Sequence, residues 1–479
     1  MNKRSISAAF LLAALGGCSM MPAYERPSAP VPDKWSEGMQ LKTSQSLTLS
    51  DWQKYFPDPR LQALISAALK DNRDLRIATA RIAEARAQYG IQNADRYPTL
   101  NLNVSRNASL TPASASTTGS DVHSRRNDLN VGIVSYELDF WGRVASLSAS
   151  AKASYLATEE AQRAFRFSLI SDVANAYLSL EEMRERTVLA EATVKARAET
   201  RELVAKRREL GVSGDMDYLQ ADGAYQSALA DLANLQQQQV VAANLLDLLV
   251  GKPVAAIKDL PEGHTLAEQG ITPQLISGLP ADVLLRRPDV QAAEQQLIAA
   301  NANIGAARAA FFPRISLTGS VGTASSSLSG LFNGTNRAWS FQPLITIPIF
   351  DDGRGFSGYD LAEARKSIAV AQYEKTIQQA FRETADLLSA SEKINEQLTA
   401  QSANAAAQKE LLTMVEARYK AGIASYLEVL DAQRQSYAAE QGEIQVRRQW
   451  LSAATQLYKA LGGEGNDSTD GSAQEGNGK

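Results

Sequence analysis

The chain has 479 residues, 44% hydrophobic and 21% charged, with a formal net charge of −4. That balance argues against a nucleic-acid binder, which usually carries a basic patch, and a mean hydropathy of −0.25 argues against a bundle of transmembrane helices. One cysteine and two histidines, His123 and His264, leave little for a metal site, a disulfide framework or a catalytic triad.

The chain opens with Lys3 and Arg4, an apolar run from Ile6 to Leu15, small residues and Cys18. A basic start, a short apolar stretch and a small-residue cleavage site predict a signal peptide over 1–17. The string LGGC at 15–18 resembles a bacterial lipoprotein box, which implies a covalent lipid (palmitate among its acyl chains) on Cys18. The alternative is an ordinary signal peptide with a chance cysteine. Ser19, rather than aspartate, follows, and by the same resemblance this implies sorting to the outer membrane. Acyl chains anchor a protein to a leaflet without making it span.

Proline and glycine punctuate the rest. No proline lies between Pro112 and Pro253 or after Pro348, and no glycine between Gly142 and Gly211 or between Gly358 and Gly422. These gaps are rich in strong helix formers. Each predicts a helix of roughly 65 residues, about 100 Å long at 1.5 Å per residue, and such a rod points to a coiled coil or a helical array. In chain order we expect a repeat over 61–251, built as a helix, a β-hairpin over 98–141, a long helix over 143–210, a tip turn and a helix over 215–250. A linker over 252–280 leads to a second repeat over 281–463, with a hairpin over 313–350, a long helix over 354–421, a tip and a helix over 425–461. The tail 464–479 is polar and glycine-rich, the composition of a disordered segment.

From Gly142 onward the halves match without gaps. An offset of 211 pairs Gly142-Arg143 with Gly353-Arg354, Ala174 with Ala385, Arg207 with Arg418, Gly211 with Gly422, Leu219 with Leu430, Ala221 with Ala432 and Gly251 with Gly462. Upstream the offset is 215, pairing Asp74 with Asp289, Gly90 with Gly305 and Pro98 with Pro313. A surface loop between Pro98 and Gly142 absorbs the difference.

Both hairpins alternate. Leu100, Leu102 and Val104 interleave with Asn101, Asn103 and Ser105, and Ile315, Leu317 and Val321 interleave with Ser316, Thr318 and Ser320. Trp339, Phe341, Ile345, Ile347 and Ile349 stand at alternate places, as do Leu129, Val131 and Ile133, then Tyr136, Leu138 and Phe140 after a parity slip that reads as a bulge. Period two marks strands with one apolar and one polar face. A half-buried soluble sheet has this pattern, and so does a barrel with lipid outside and water inside. Four strands cannot close a barrel, because about eight is the minimum. Two copies would give eight strands and a side-chain-filled interior; three would give twelve and a lumen.

Residues 353–358, GRGFSG, fit the Gly-x-Gly-x-x-Gly dinucleotide fingerprint. The helix after them is far longer than a βαβ crossover, and the aligned first-half segment has Val144 and Leu147 where two of these glycines stand. A flexible joint explains the run more simply.

Four strings together resemble one family: ELDFWGR at 137–143, the long segment LPADVLLRRPDVQAAEQQLIAANANIGAARAAFFPRISLTGSVGT at 279–323, RYKAGIASYLEVLDAQR at 418–434 and LYKALGG at 457–463. The chain, from about Pro22 to Gly463, is similar to the TolC family of outer-membrane channels, in particular the OprM-type lipoproteins of tripartite drug efflux pumps. The resemblance implies an α+β membrane protein. Its homotrimer would form a twelve-stranded β-barrel, four strands per chain, continued by a twelve-helix periplasmic tunnel. An equatorial collar would take the lipid-anchored segment 18–60, the linker and the C-terminal end.

It further implies no catalytic residues, no metal and no cofactor beyond the lipid on Cys18. The partners would be a periplasmic membrane-fusion adaptor, an inner-membrane RND pump and outer-membrane lipid, with no nucleic acid. The adaptor would meet the tips at Arg207, Gly211, Val212 and Ser213 and at Arg418, Gly422, Ile423 and Ala424. Leu427, Asp431 and Arg434 share a helix face by their spacing, and they match the family's periplasmic constriction, with Tyr419 as a brace. Met216, Gln220 and Gly223 occupy the aligned first-half places, so a trimer would present three Asp431 carboxylates. The simpler alternative there is an ordinary i,i+3 salt bridge between Asp431 and Arg434. The favoured reading is a passive exit duct for small molecules. A duct for protein secretion, a pore-less coiled-coil lipoprotein and a dehydrogenase are the alternatives.

Overall fold

The computed structural model describes residues 19–32, 52–271 and 281–461. The signal segment, Cys18, residues 33–51 of the expected collar, 272–280 of the linker, Gly462 and the tail lie outside the described residues.

Among the described residues the α-helices are α1 (Trp52–Tyr55), α2 (Pro59–Asp71), α3 (Arg73–Ala94), α4 (Arg143–Glu209), α5 (Asp215–Val250), α6 (Pro288–Ala309), α7 (Arg354–Lys420) and α8 (Tyr426–Ala460). The strands are β1 (Leu100–Thr111), β2 (Val122–Glu137), β3 (Arg314–Ser325) and β4 (Arg337–Thr346). α4 and α7 are both 67 residues long, and α3 and α6 are both 22. Where one helix was expected before the first hairpin, two stand, broken at Asn72. The Asn72 side chain accepts the Leu75 N–H at 2.8 Å and so caps α3, while its amide donates to the Leu249 carbonyl, also at 2.8 Å. A side chain that bonds its own backbone in this way competes with helix continuation.

By its internal contacts the chain divides into two units. One holds residues 19–28, 81–159 and 292–374. Its sheet is an antiparallel meander ordered β1-β2-β3-β4. The parity slip is a real bulge: the register shifts between Ile133 and Tyr136, and Ser135 takes φ 54°. In the same unit the segment after Cys18 lies along α6. Arg26 grips Glu294 with two contacts of 2.7 Å, the Tyr24 hydroxyl adds a third bond to that carboxylate at 3.0 Å, and Asn301 donates to the Pro22 carbonyl. Gly305 has to be glycine, because a Cβ there would lie 2.7 Å from the Met21 Cα.

The other unit holds residues 29–32, 52–80, 160–271, 281–291 and 375–461. Its main core joins Phe56, Leu64 and Ile65 to Ile170, Val173 and Tyr177 of α4, Leu246 of α5 and Leu451 and Tyr458 of α8. A buried carboxylate organises this core. Asp58 caps α2 through Oδ1, which accepts the N–H groups of Arg60 and Leu61 at 2.7 and 3.2 Å. Its Oδ2 accepts the Tyr177 hydroxyl at 2.8 Å, the His264 N–H at 3.0 Å and the Gln269 amide at 2.9 Å. Arg287 plays a similar part elsewhere in the unit, joining Asp289, Glu383 and the Ala460 carbonyl while almost fully buried. Unpaired buried donors cost roughly 1–3 kcal/mol each. Asp58→Ala, which strands three buried donors and removes a cap, is therefore expected to destabilise this unit by about 3–5 kcal/mol. Asp58→Asn, which keeps an acceptor oxygen, should cost less; thermal unfolding followed by circular dichroism measures both.

Candidate functional site

The register sorts the sheet into two faces. Along one, Leu102 stands opposite Val131, Val131 opposite Val321 and Val321 opposite Trp339. The next rows of that face bring Leu100, Ile133, Gly319 and Phe341 together. These apolar side chains are largely exposed in the protomer, Val104 at 71% and Trp339 at 79%. A contiguous apolar surface of this kind marks an interaction site. The opposite face is polar: Asn103 bonds Asn130 at 3.2 Å and Ser320 bonds Ser340 at 2.8 Å. Gly132 and Gly322 belong to that polar face. A Cβ on Gly322 would lie 2.0 Å from the Leu129 carbonyl oxygen, and one on Gly132 would lie 2.7 Å from that of Gly319. The backbone is therefore crowded on the polar side, where only glycine fits. β1 and β4 each pair on one side only among the described residues.

Aromatic rings gather where strands meet helices. Trp141 donates to the Pro313 carbonyl at 2.9 Å and stacks on Phe312 at 4.7 Å, while Phe311 meets Phe356 edge-on at 5.2 Å. Glu137 binds Arg143 through two contacts of 2.8 and 2.7 Å and also pairs with Arg314. Gly142 and Gly353 turn the chain with φ of 71° and 79°. At the second joint the carboxylate of Asp351 accepts the N–H groups of Gly353 and Gly355 at 3.1 and 2.8 Å. A side-chain carboxylate thus occupies the donors that a nucleotide phosphate would need, which removes the structural basis of the fingerprint at 353–358.

The two tips share one design. The N–H of Gly211 reaches the Arg208 carbonyl and that of Val212 reaches Arg207; 211 residues later Gly422 reaches Tyr419 and Ile423 reaches Arg418. With Gly211 and Gly422 at φ 72° and 77°, both turns are Schellman caps. Arg207 and Arg418 thus offer their carbonyls to the cap. Their side chains go elsewhere: the Arg207 guanidinium lies over the Tyr419 ring at 5.3 Å, and Arg418 approaches Glu428 at 3.6 Å. Val212 and Ile423 project outward, at 65% and 71% exposure, Ser213 bonds Asp217 at 2.7 Å, and Ala424 is half-buried.

α8 opens on a capping box: the Ser425 hydroxyl accepts the Glu428 N–H at 3.4 Å, and the Glu428 carboxylate accepts the Ser425 N–H at 3.0 Å. The Ser425 backbone bond, with the Ser425 hydroxyl and nearby Arg418, holds the Glu428 carboxyl below its usual range.

A small second core locks the tips to each other. Val204 of α4, Ala221 of α5, Val415 of α7 and Tyr426, Val429 and Ala432 of α8 are buried together, with Tyr419 packed at their edge, 6.1 Å from the Tyr426 ring. Burial pushes the Tyr426 hydroxyl pKa up. Helical periodicity then turns Leu427, Asp431 and Arg434 to the opposite, exposed side of α8. The alternative i,i+3 salt bridge between Asp431 and Arg434 is absent among the described residues. The Asp431 carboxylate instead accepts the Gln435 amide at 2.7 Å.

The family of outer membrane efflux proteins matches residues 64–252 and 279–463. The chain belongs to this family. It is 43% identical over 461 residues to the toluene efflux pump outer membrane protein TtgI of Pseudomonas putida, spanning 95% of this chain and 97% of that one. It is 40% identical over 453 residues to the cation efflux system protein CusC of Escherichia coli O157:H7, spanning 94% of this chain and 96% of that one. Among solved structures, the open-state MtrE outer membrane channel of Neisseria gonorrhoeae is similar, with a TM-score of 0.83, 38% identity and coverage of 93% of this chain and 98% of that one. The efflux protein is thus an outer-membrane channel, the exit duct of a tripartite efflux system.

Sequence reasoning missed Asp58 and Arg287 as organisers and the Arg207–Tyr419 stack between tips. The spacing of Asp58 before Pro59 is an N-cap signal, but its long-range partners carry no sequence signature. Gly422→Ala forces a Cβ into the left-handed region, at about 1–2 kcal/mol. Tyr419→Ala removes the ring shared by Arg207 and Tyr426, at about 1–2 kcal/mol. Both variants should speed amide exchange in residues 415–430 while leaving the melting of the main core unchanged.

Proposed function

We propose that three copies of the chain close a twelve-stranded barrel, polar inside and apolar outside, and that the two halves of each chain act as structural repeats whose helices continue the barrel as a periplasmic tunnel. The observation that carries this reading is the four-stranded sheet with one apolar face, one polar face and two edges that pair with no strand among the described residues. In hydrocarbon an unpaired strand edge costs several kcal/mol per group, so spanning sheets close. The duct is passive, and an inner-membrane RND pump drives transport through a periplasmic adaptor. Relatives of nearly equal identity are named for toluene and for cation efflux. This supports placing the choice of cargo in the pump rather than in the duct.

The adaptor meets the two tips, where Val212 and Ile423 are exposed side by side with the capping turns. The lipid is carried by Cys18; Cys18→Ser should abolish acyl labelling, and labelling that persists would place the lipid on another residue. The outward face of α8 forms the gate. Three Asp431 carboxylates approaching an axis repel at about 1 kcal/mol per pair in a watery medium at roughly 4 Å. Arg434, one turn on, supplies the countercharge across subunits, and Leu427 adds an apolar ring. Without a gate, a permanently open tunnel about 100 Å long would leave the outer membrane breached. The test is purification in detergent, mass measurement and single-channel recording. A trimer mass is expected, with higher conductance and vancomycin entry for the Asp431→Ala/Arg434→Ala variant. Unchanged conductance and vancomycin sensitivity in an assembled trimer would place the seal elsewhere.

A further inference from the structure

We propose that the lipid-facing side of the sheet, at its extracellular end, binds the phosphates of an outer-leaflet glycolipid through Arg106, Arg125 and Arg337. The proposal rests on the barrel reading above. The long helices enter the periplasm from one end of the strands, so the hairpin turns at 112–121 and 326–336 lie at the extracellular end.

The register places the three arginines. Side chains alternate, so Arg106 follows Leu102 and Val104 on the apolar face of β1. Arg125 stands opposite Ala108 and Arg106 opposite Asn127, which puts Arg125 on that face too, as the diagonal neighbour of Arg106. Diagonal neighbours lie about 7–8 Å apart, within reach of long side chains. Arg337 stands opposite Thr323, two residues beyond Trp339 on the same face. All three arginines are exposed, and none makes an ion pair among the described residues.

The strand carboxylates are on the other side. Asp128 points to the polar face and pairs there with Arg126 at 2.9 Å, and Glu137 stands opposite Ser316 of the polar face. Two guanidiniums side by side without a carboxylate repel, and an anion between them removes the repulsion. Guanidinium also fits the two oxygens of a phosphate in parallel.

The surroundings point to a lipid rather than a free anion. Trp339, at 79% exposure, marks the level of the membrane–water boundary, where tryptophan is enriched. The turn Leu328–Phe332 folds over the same face: a Cβ on Gly330 would lie 2.2 Å from the Ser325 Oγ, and Ser325 stands opposite Asn127. Leu331 is buried by that turn, while Leu328 and Phe332 project at 65% and 82% exposure. Apolar side chains thus sit beside unpaired cations. That combination suits a ligand with acyl chains below and phosphates above.

The test uses the full-length lipidated protein, purified in detergent and titrated with bis-phosphorylated lipid A by native mass spectrometry. The unsubstituted protein should retain the lipid. Arg106→Gln/Arg125→Gln should lower retention about tenfold, since it removes two charge-assisted phosphate contacts. Arg337→Gln should lower it less, and Arg126→Gln, on the polar face, should leave it unchanged. Millimolar inorganic phosphate should not displace the lipid. Equal retention by the double variant would overturn the assignment, and displacement by inorganic phosphate would reduce the site to a simple anion patch. Loss with Arg126→Gln but not with the double variant would mean that the faces are reversed, in which case the barrel reading itself fails. Single-channel recording of each variant confirms that the protein tested is assembled.

Discussion

The edges of β1 and β4, which meet no further strand among the described residues, are the constraint from which the rest follows. A sheet that faces hydrocarbon cannot leave a row of N–H and C=O groups open. It also cannot flatten, since its polar face needs water. In the barrel proposed above, closure with further copies meets both demands. The local devices agree with that requirement. The bulge at Ile133–Tyr136 returns Tyr136 to the apolar face after an irregular step. Gly132 and Gly322 keep the crowded polar face free of Cβ atoms. Bulges and glycines are the usual means by which strands bend.

Length creates the second demand. Helices of 67 residues expose a great deal of backbone to error, because a single kink would displace both ends. Two fastenings hold them within the helical unit. Near the linker, Asp58 ties α2, α4 and the loop at 264–269 through five hydrogen bonds. At the tips the core of Tyr426, Val429 and Val415 ties both helix pairs together. The first fastening is polar, buried and directional. The second is small, and two of its contacts are the half-buried Arg207 guanidinium over the Tyr419 ring and the tilted Tyr419–Tyr426 pair. The helical unit is thus held firmly near the linker and lightly at the tips.

The tip core also decides which residues of α8 stay exposed. Packing Tyr426, Val429 and Ala432 inward leaves Leu427, Asp431 and Arg434 facing out. Within the protomer Asp431 is held by Gln435 and not by Arg434. In the trimer proposed above, Arg434 is then available to charges brought by another subunit.

Much was legible in the sequence because its signals are periodic or local. The proline and glycine gaps set the helix lengths, the two-residue alternation set the strand faces, and the glycines at 142, 211, 353 and 422 marked each change of direction. Each depends on backbone preferences within a few residues, which composition records. The four strings at the joints and tips were specific enough to indicate the family. Tertiary structure alone decided which strand pairs with which, that the first helix breaks at Asn72, and that Asp58 and Arg287 join segments some 100–200 residues apart. It also decided that Asp351 fills the donors of a nucleotide-like glycine run, and that Asp431 and Arg434 do not pair. These outcomes turn on side chains meeting across long sequence separations, where no local preference of the chain carries the information.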